Sequence, residues 1–327
     1  MPYHPPYKIT QKILSLVAQI SEAVAGAAIV EIQNSPQLRK QNRIKTITGT
    51  LAIEGNTLSL EQVSAIVEGK PVRGTQKEIA EVRGAIKAYE ALVQYQAHSM
   101  DDLLDAHKKM TEEILPDAGR FRRGSVGVHK GDKVIHVAPQ AGRVQVLMGD
   151  LLHWIEHTED HPLIRSCVFH YEFEFIHPFS DGNGRIGRLW QTLILGQWRE
   201  VFYSLPIENT IKNNQQDYYD ALTTADDKAN STVFIEFMLT VILASISTTD
   251  PVTDPVTDPV TDPVEKLLSV MGDGYLSSAQ MMAKVGLSHK PTFRKNYLLP
   301  ALKQEVISMS HPDNPNSPKQ KYIRKNQ

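Results

Sequence analysis

Residues 250–264 repeat Asp-Pro-Val-Thr three times and finish on Asp-Pro-Val. A proline at every fourth position removes one backbone donor per would-be helical turn and clashes with the carbonyl four residues back, so no helix crosses this stretch. Proline and aspartate are also poor ladder residues. The segment therefore reads as an extended spacer. The residues on its two sides must build separate cores. The two sides differ in charge as well. Residues 264–327 carry ten Lys or Arg against four Asp or Glu, although the whole chain has 35 basic and 37 acidic residues and a net charge of −2. The spacer joins an acidic body to a basic tail, and a uniformly basic nucleic-acid coat is excluded.

The expected fold class is mainly α. Apolar residues recur at helical spacing over residues 7–33 (Ile9, Ile13, Leu16, Val17, Ile20, Val24). Ser59-x-x-Gln62 is a capping box that opens a helix over 59–68, after a break at Gly55-Asn56. Residues 76–97, 99–114, 142–158, 162–176 and 182–200 also fit helices. Val126-Gly-Val-His129 and Val134-Ile-His-Val137 flank Lys130-Gly-Asp-Lys133, which predicts a β-hairpin over 126–137. The tail predicts helices at 264–271, 277–285 and 290–304. Two β-prone runs come next, at 306–309 and 320–323, the order of a winged helix-turn-helix. Lys290, Arg294 and Lys295 would lie on its recognition helix. Duplex DNA and a protein partner both remain open for that face. The domain reading is an N-terminal helical region at 1–98, a core at 99–249, the linker at 250–263 and the tail domain at 264–327.

With 327 residues, 41% hydrophobic and 22% charged, the chain has enough apolar side chains for real cores. A single cysteine, Cys167, excludes a disulfide framework or a cysteine-built zinc site within one chain. No run reaches the ~18 apolar residues needed to span a bilayer, and MPYHPPYK lacks a signal pattern, so a cytoplasmic protein without membrane contact is expected.

Chemistry concentrates at residues 175–190, which include His177-Pro-Phe-Ser-Asp181-Gly182-Asn183-Gly184-Arg185-Ile186-Gly187-Arg188. Pro178 disfavours helical geometry at His177, so one helix ends there. Gly182-Asn183-Gly184 opens the next. Glycines at a helix start let a phosphate approach bare N–H groups at the positive end of the helix dipole. Arg185 and Arg188 are three apart and can reach phosphate oxygens with forked contacts. Asp181 is a lone carboxylate beside this anion site, as magnesium prefers when it binds with substrate phosphates. His177 at the rim suits proton transfer near neutrality. The assembly describes a polyphosphate cradle, a metal and a base.

This run matches His-Pro-Phe-x-Asp-Gly-Asn-Gly-Arg-x-x-Arg at every specified position, and it resembles the signature of the Fic-domain (filamentation induced by cAMP) proteins. The resemblance covers roughly residues 40–245. It implies a helical bundle with a β-hairpin flap that transfers AMP from ATP, with Mg²⁺, to protein hydroxyls. Additional N-terminal helices and a C-terminal winged helix often accompany such a core. By resemblance, His177 would deprotonate a Tyr, Thr or Ser hydroxyl and Asp181 would hold Mg²⁺. Gly182, Asn183 and Gly184 would line the anion hole, and Arg185 and Arg188 would contact the β- and γ-phosphates. Ile186 and Gly187 would complete the nucleotide-binding run, and Phe179 would anchor the loop. Lys133, Val134, Ile135 and His136 would lie along nucleotide and target on the flap, which clamps the target by strand addition. Tyr218 and Tyr219 resemble paired tyrosines that approach the nucleotide. Asp226 stands where many relatives have Asn. Gly184 is lysine in the Doc-type kinases, so its retention favours AMP transfer over phosphate transfer.

Residues 50–55, Thr50-Leu-Ala-Ile-Glu54-Gly55, match the family's inhibitory pattern, Ser/Thr-x-x-x-Glu-Gly/Asn. The resemblance implies an inhibitory helix over about 44–55. Its Glu54 would pair with Arg188, tilt ATP out of productive geometry and, in some relatives, help reverse the modification. Self-modification and a homodimer are further expectations. The alternative is an ATP-sensing, DNA-binding regulator with a Fic-like body. Two other motifs carry less. Gly182-x-Gly-x-x-Gly187 fits a dinucleotide fingerprint but lacks the preceding strand that the fingerprint needs. His153-Trp-Ile-Glu156-His157 places two histidines at i, i+4 as in some zinc sites. The sequence offers it no clear third ligand, so these histidines are expected to face solvent.

Overall fold

The computed structural model describes residues 3–26, 29, 32, 34–125, 127–130, 133–247, 263–271, 274–285, 293–303, 306–311 and 320–325. The chain divides into two compact units, residues 1–250 and 251–327. The repeat at 250–262 lies outside the described residues.

The first unit is helical. Its elements are α1 (Gln11–Ala23), α2 (Pro36–Ile53), α3 (Leu60–Val67), α4 (Gln76–Ala91) and α5 (Met100–Thr111), followed by strands β1 (Gly127–Lys130) and β2 (Lys133–Val137). Then come α6 (Ala141–His157), α7 (Pro162–Ile176), α8 (Asn183–Trp198), α9 (Ile207–Asn213), α10 (Gln215–Asp227) and α11 (Thr232–Ser247). Local chemistry explains the starts. Ser59 and Gln62 form the capping box that opens α3, and Thr75 and Glu78 form another for α4. Ser35 caps α2 with Pro36 in the first turn, so this helix begins well before residue 44. α2 ends in a Schellman arrangement. The Asn56 N–H reaches back to the Leu51 carbonyl, and Gly55 adopts φ +89°.

Helices α7 and α8 pack side by side through the centre. Both are buried on nearly every face, from Leu163 to Phe173 and from Ile186 to Leu195. α2 lies along α9, where the backbone of Asn209 crosses Gly49. One apolar cluster runs from Ile13 through Ile47, Leu103, Phe179 and Trp190 to Ile246. The division at residue 98 therefore separates no cores, because N-terminal helices and central helices share one interior. The N-terminal arm is held against α11, with Ser231 N–H donating to the Pro6 carbonyl at 2.9 Å. β1 and β2 form an antiparallel hairpin that pairs Val128 with His136 and Lys130 with Lys133, with a bulge between Val128 and His129.

The second unit has α12 (Pro263–Val270), β3 (Leu276–Ser277), α13 (Ser278–Lys284), a π-turn at Arg294–Leu298 running into α14 (Leu299–Lys303), and strands β4 (Ile307–Met309) and β5 (Lys321–Arg324). β5 is the middle strand of an antiparallel sheet, between β3 and β4. Leu267, Met281, Phe293, Ala301 and Ile307 form its core. The sequence pattern did not announce β3. The third helix is also interrupted. Pro300 cannot donate to the carbonyl four residues back, and Leu299 N–H bonds instead to the Arg294 carbonyl five residues back. Arg294 is exposed, while Lys290 and the Lys295 side chain lie outside the described residues.

Candidate active site

α7 ends at His177, whose left-handed backbone (φ 49°) breaks the helix just before Pro178. A positive φ on a residue other than glycine is uncommon and concentrates at functional positions. The loop plunges through fully buried Phe179 and emerges at Gly182, the N-cap of α8. Gly182 has φ +85°, where a side chain is strained, and a β-carbon there would lie 3.1 Å from Thr111 Cγ2, so both backbone and space favour glycine. Asn183 clips the loop shut. Its Oδ1 accepts from Phe179 N–H at 2.8 Å and its Nδ2 donates to the Phe179 carbonyl at 3.0 Å. It can therefore offer an anion its backbone N–H rather than its amide.

Two expected nucleotide positions serve packing. Ile186 is fully buried in the core. A β-carbon on Gly187 would lie 3.1 Å from Glu174 Oε1 and 3.3 Å from His170 and Phe173, so this glycine lets α7 and α8 close on each other.

Arg185 and Arg188 are both buried. Arg185 Nη2 donates to Asp181 Oδ1 at 3.2 Å, and its Nη1 lies 3.8 Å from Glu81. Its Nε and Nη1 nevertheless have no hydrogen-bond partner among the described residues. Such unmet donors are costly in a buried guanidinium, and an arriving anion would satisfy them. Asp181 is half exposed, and its Oδ1 also accepts from Gly182 N–H at 2.6 Å. Its other carboxylate oxygen fits a hard cation that binds through one carboxylate and substrate phosphates.

Arg188 is closed off. Its Nη2 donates to Glu54 Oε1 at 2.6 Å and to the Thr50 carbonyl at 3.1 Å, and its Nε donates to Thr50 Oγ1 at 2.9 Å. Burial works against the charge, but Glu54, Tyr218 and Glu174 together outweigh it and hold the guanidinium above its ordinary pKa. The Glu54 carboxylate fills the space where a β-carbon on Gly184 would stand. The α2 carboxylate thus sits on the glycine turn itself.

Three positions singled out by resemblance have partners within the first unit. Tyr218 is buried, with its hydroxyl 3.0 Å from His170 Nε2. Tyr219 and Gln215 donate to the Ile53 carbonyl at 3.3 and 2.9 Å, so they brace the end of α2. Asp226 accepts from the Tyr171 hydroxyl at 3.0 Å. On the flap, β2 runs beside α10, but the side chains of Lys133, Val134, Ile135 and His136 lie outside the described residues.

Two residues that hold the site escaped sequence reasoning. His107, on α5, stacks flat on Phe179 at 3.6 Å. Its Nδ1 accepts from Gly119 N–H at 2.9 Å, so Nε2 carries the proton donated to the Asp181 carbonyl at 3.0 Å. Burial pushes its pKa down to about 4, although the bond to Asp181 opposes this, so the ring is neutral at neutral pH. Arg122 is buried and gathers four carbonyls. Nε donates to His177 at 2.7 Å, Nη2 to Ile176 at 3.2 Å and to Pro139 at 2.6 Å, and Nη1 to Gly124 at 2.9 Å. One guanidinium thus ties the His177 backbone to both ends of the flap. Only the buried face of α5 hinted at His107, and nothing local marks Arg122. A cleft of about 430 Å³, lined by Arg120, Arg123 and Ser180 among others, opens beside this junction.

Comparison with known proteins agrees with this geometry. Residues 97–195 match the Fic/DOC family, and residues 262–323 match the Filamentation induced by cAMP protein Fic-like, C-terminal domain. The chain is 30% identical over 234 residues to the protein adenylyltransferase fic-1 of Caenorhabditis briggsae, covering 67% of this chain and 43% of that protein. It is 31% identical over 200 residues to the protein adenylyltransferase Fic of Aedes aegypti, covering 58% and 38%. The chain thus spans about two-fifths of the length of these curated relatives. Among solved structures, a Fic family protein from Desulfovibrio desulfuricans G20 aligns over 99% of both chains with 48% identity and a TM-score of 0.74. Fic-1 of C. elegans aligns over 73% of this chain and 71% of that one, with 26% identity and a TM-score of 0.59. No described helix is long and apolar enough to cross a membrane. Over its whole length, with the signature turn between α7 and α8 intact, the chain belongs to the Fic family.

Proposed function

We propose that this chain transfers AMP from ATP to a Tyr, Thr or Ser hydroxyl of a protein target, and that Glu54 restrains it from within. The observation that carries the reading is the state of the two arginines beside the glycine turn. Arg185 is buried with two donors unmet among the described residues, and Arg188 is closed by a carboxylate that lies over Gly184. Triphosphate oxygens satisfy the first and compete for the second. The names of the curated relatives support the same activity.

In this mechanism His177 accepts the proton of the target hydroxyl. That oxygen attacks the α-phosphorus, the bond to the bridging oxygen breaks, and pyrophosphate departs. Negative charge grows on the leaving group, where Arg185 and the first N–H groups of α8 stabilise it. Asp181 is the residue that would hold Mg²⁺, which when bound neutralises phosphate charge. Arg122 and His107 fix the backbone of His177 and Asp181. The cleft beside Arg120, Arg123 and Ser180 is the proposed approach for the target segment, next to the flap. The Glu54 carboxylate and a γ-phosphate compete for Arg188, so removing the carboxylate releases the site.

The test is incorporation of α-labelled ATP by the full chain. Glu54→Gly is expected to label itself or an added lysate protein faster than the unchanged chain. Adding His177→Ala is expected to abolish that label. Label that persists without His177 would overturn the catalytic assignment, and equal rates with and without Glu54 would overturn the restraint. ATP binding without label in any variant would favour the nucleotide-sensing regulator instead.

A further inference from the structure

We propose that His98, His153, Glu156 and His157 form a surface site for a divalent transition-metal ion, with zinc the best fit. The site lies in the first unit, and its chemistry is independent of nucleotide transfer. His153, Glu156 and His157 are on the exposed face of α6, and their ligand atoms all lie within 4.8 Å of one another. The two imidazoles stand 4.1 Å apart, centroid to centroid. The His-x-x-Glu-His run alone lacks a ligand from outside its helix. The fold supplies one: His98 Nε2 lies 3.9 Å from Glu156 Oε1.

Neither side is loosely placed. Trp190 Nε1 donates to the Ala97 carbonyl at 2.8 Å, and Gln197 donates to the Tyr95 carbonyl at 3.0 Å. Both come from α8, so the backbone that carries His98 is fixed. His157 Nδ1 lies 2.9 Å from the His153 carbonyl. The carbonyl can only accept, so Nδ1 holds the proton and Nε2 keeps its lone pair for a metal. All four side chains are exposed, so rotation can carry them toward the distance of about 2.0 Å that a metal bond needs.

The donor set selects the ion. Three neutral imidazoles and one carboxylate suit four-coordinate zinc, and copper or nickel bind the same groups. Magnesium and calcium prefer all-oxygen shells and are poorly served. All four ligands come from the protein, so the bound ion is structural. It would staple the C-terminal turn of α6 to the entry of α5.

The experiment is calorimetric titration of the untagged, chelator-stripped full chain with ZnCl₂. One equivalent is expected to bind, with a rise in thermal midpoint, and Mg²⁺ at the same concentration is expected to do neither. His153→Ala with His157→Ala, and separately His98→Ala, should each weaken zinc binding about tenfold or more. Co²⁺ in place of zinc should give the visible absorption of a tetrahedral site in the unchanged chain and lose it in both variants. Undiminished binding in the double variant would overturn the site. Unchanged affinity and cobalt spectrum in His98→Ala would reduce it to an ordinary helical histidine pair and overturn the four-ligand assignment. All four positions are exposed, so these variants are expected to fold.

Discussion

Glu54 reaches Arg188 from the far end of a different helix and meets it at 2.6 Å, above the glycine turn. Arg188 is buried and Glu54 is about a third exposed, so the pair is neither a surface bridge nor a fully dry one. Removing one partner of a buried pair costs about 3–5 kcal/mol, but solvent at Glu54 and the remaining bonds to Thr50 reduce that. Glu54→Gly is expected to lower stability by about 1–2 kcal/mol without nucleotide. ATP with Mg²⁺ should then raise its melting temperature more than that of the unchanged chain. Nucleotide-dependent melting curves check both halves of this expectation.

Gly49 offers an orthogonal way to disturb the same contact. A β-carbon there would lie 2.7 Å from Asn209 N and 2.8 Å from its Cα, and backbone cannot move aside cheaply. Gly49→Ala should push α2 off α9 and cost about 1–3 kcal/mol. Because α2 carries Glu54, the same change should raise basal labelling from α-labelled ATP. Loss of stability with no rise in labelling would show that Glu54 follows its arginine rather than its helix.

Arg122→Lys keeps the charge but replaces a fork with a single ammonium, which cannot bridge the carbonyls of His177, Ile176, Pro139 and Gly124 together. In a Glu54→Gly background, kcat is expected to fall about tenfold or more while KM for ATP stays within about twofold, since the phosphate groups are untouched. Steady-state kinetics separate this from general destabilisation, which would reduce the active fraction without distinguishing Lys from Ala at position 122.

Three buried groups set the response to acid. Burial holds His107 down at about 4 and His170 down at about 3, against an ordinary value of 6.5. The unfolded chain takes up those protons first, so the stability they contribute is full above 6.5 and is lost as pH falls through 4 and 3. Glu172 runs the other way. Burial lifts it to about 7, a bond from Tyr3 opposes this, and Asp226 adds to it. Its contribution is full below 4.5 and is lost as pH rises through 7. The histidines and Glu172 therefore oppose each other between about pH 4.5 and 6.5. Glu172→Gln should steepen the loss of stability between pH 7 and 5 by about 2 kcal/mol. Urea midpoints along that pH range measure it.

The features legible in the sequence were local. Pro178 announced the end of α7, and Gly182-Asn183-Gly184 announced the start of α8. Thr50 and Glu54, one turn apart, were readable as one face, and the structure places both on Arg188. The features that stayed hidden depend on distant packing. Nothing near Arg122 says that its fork meets carbonyls on either side of the flap and at His177. Nothing near His98 says that it faces α6. Ile186 and Gly187 belong to a motif, and their side-chain positions lie in the contact between helices, because motif spacing does not say which face of α8 is inside. The early start of α2 was visible as Ser35-Pro36 but lay outside the inhibitory pattern.

The continuous interior that joins Ile13 and Ile47 to Trp190 and Ile246 has a further meaning. Heredity marks residues 97–195 as the recognisable stretch, but cooperativity does not respect those borders. A fragment trimmed to that stretch would strand Phe179 and Trp190 beside missing neighbours, and it would lose stability together with the helix that bears Glu54. Cutting the chain back to the signature stretch therefore offers no clean way to isolate the glycine turn from the helices around it.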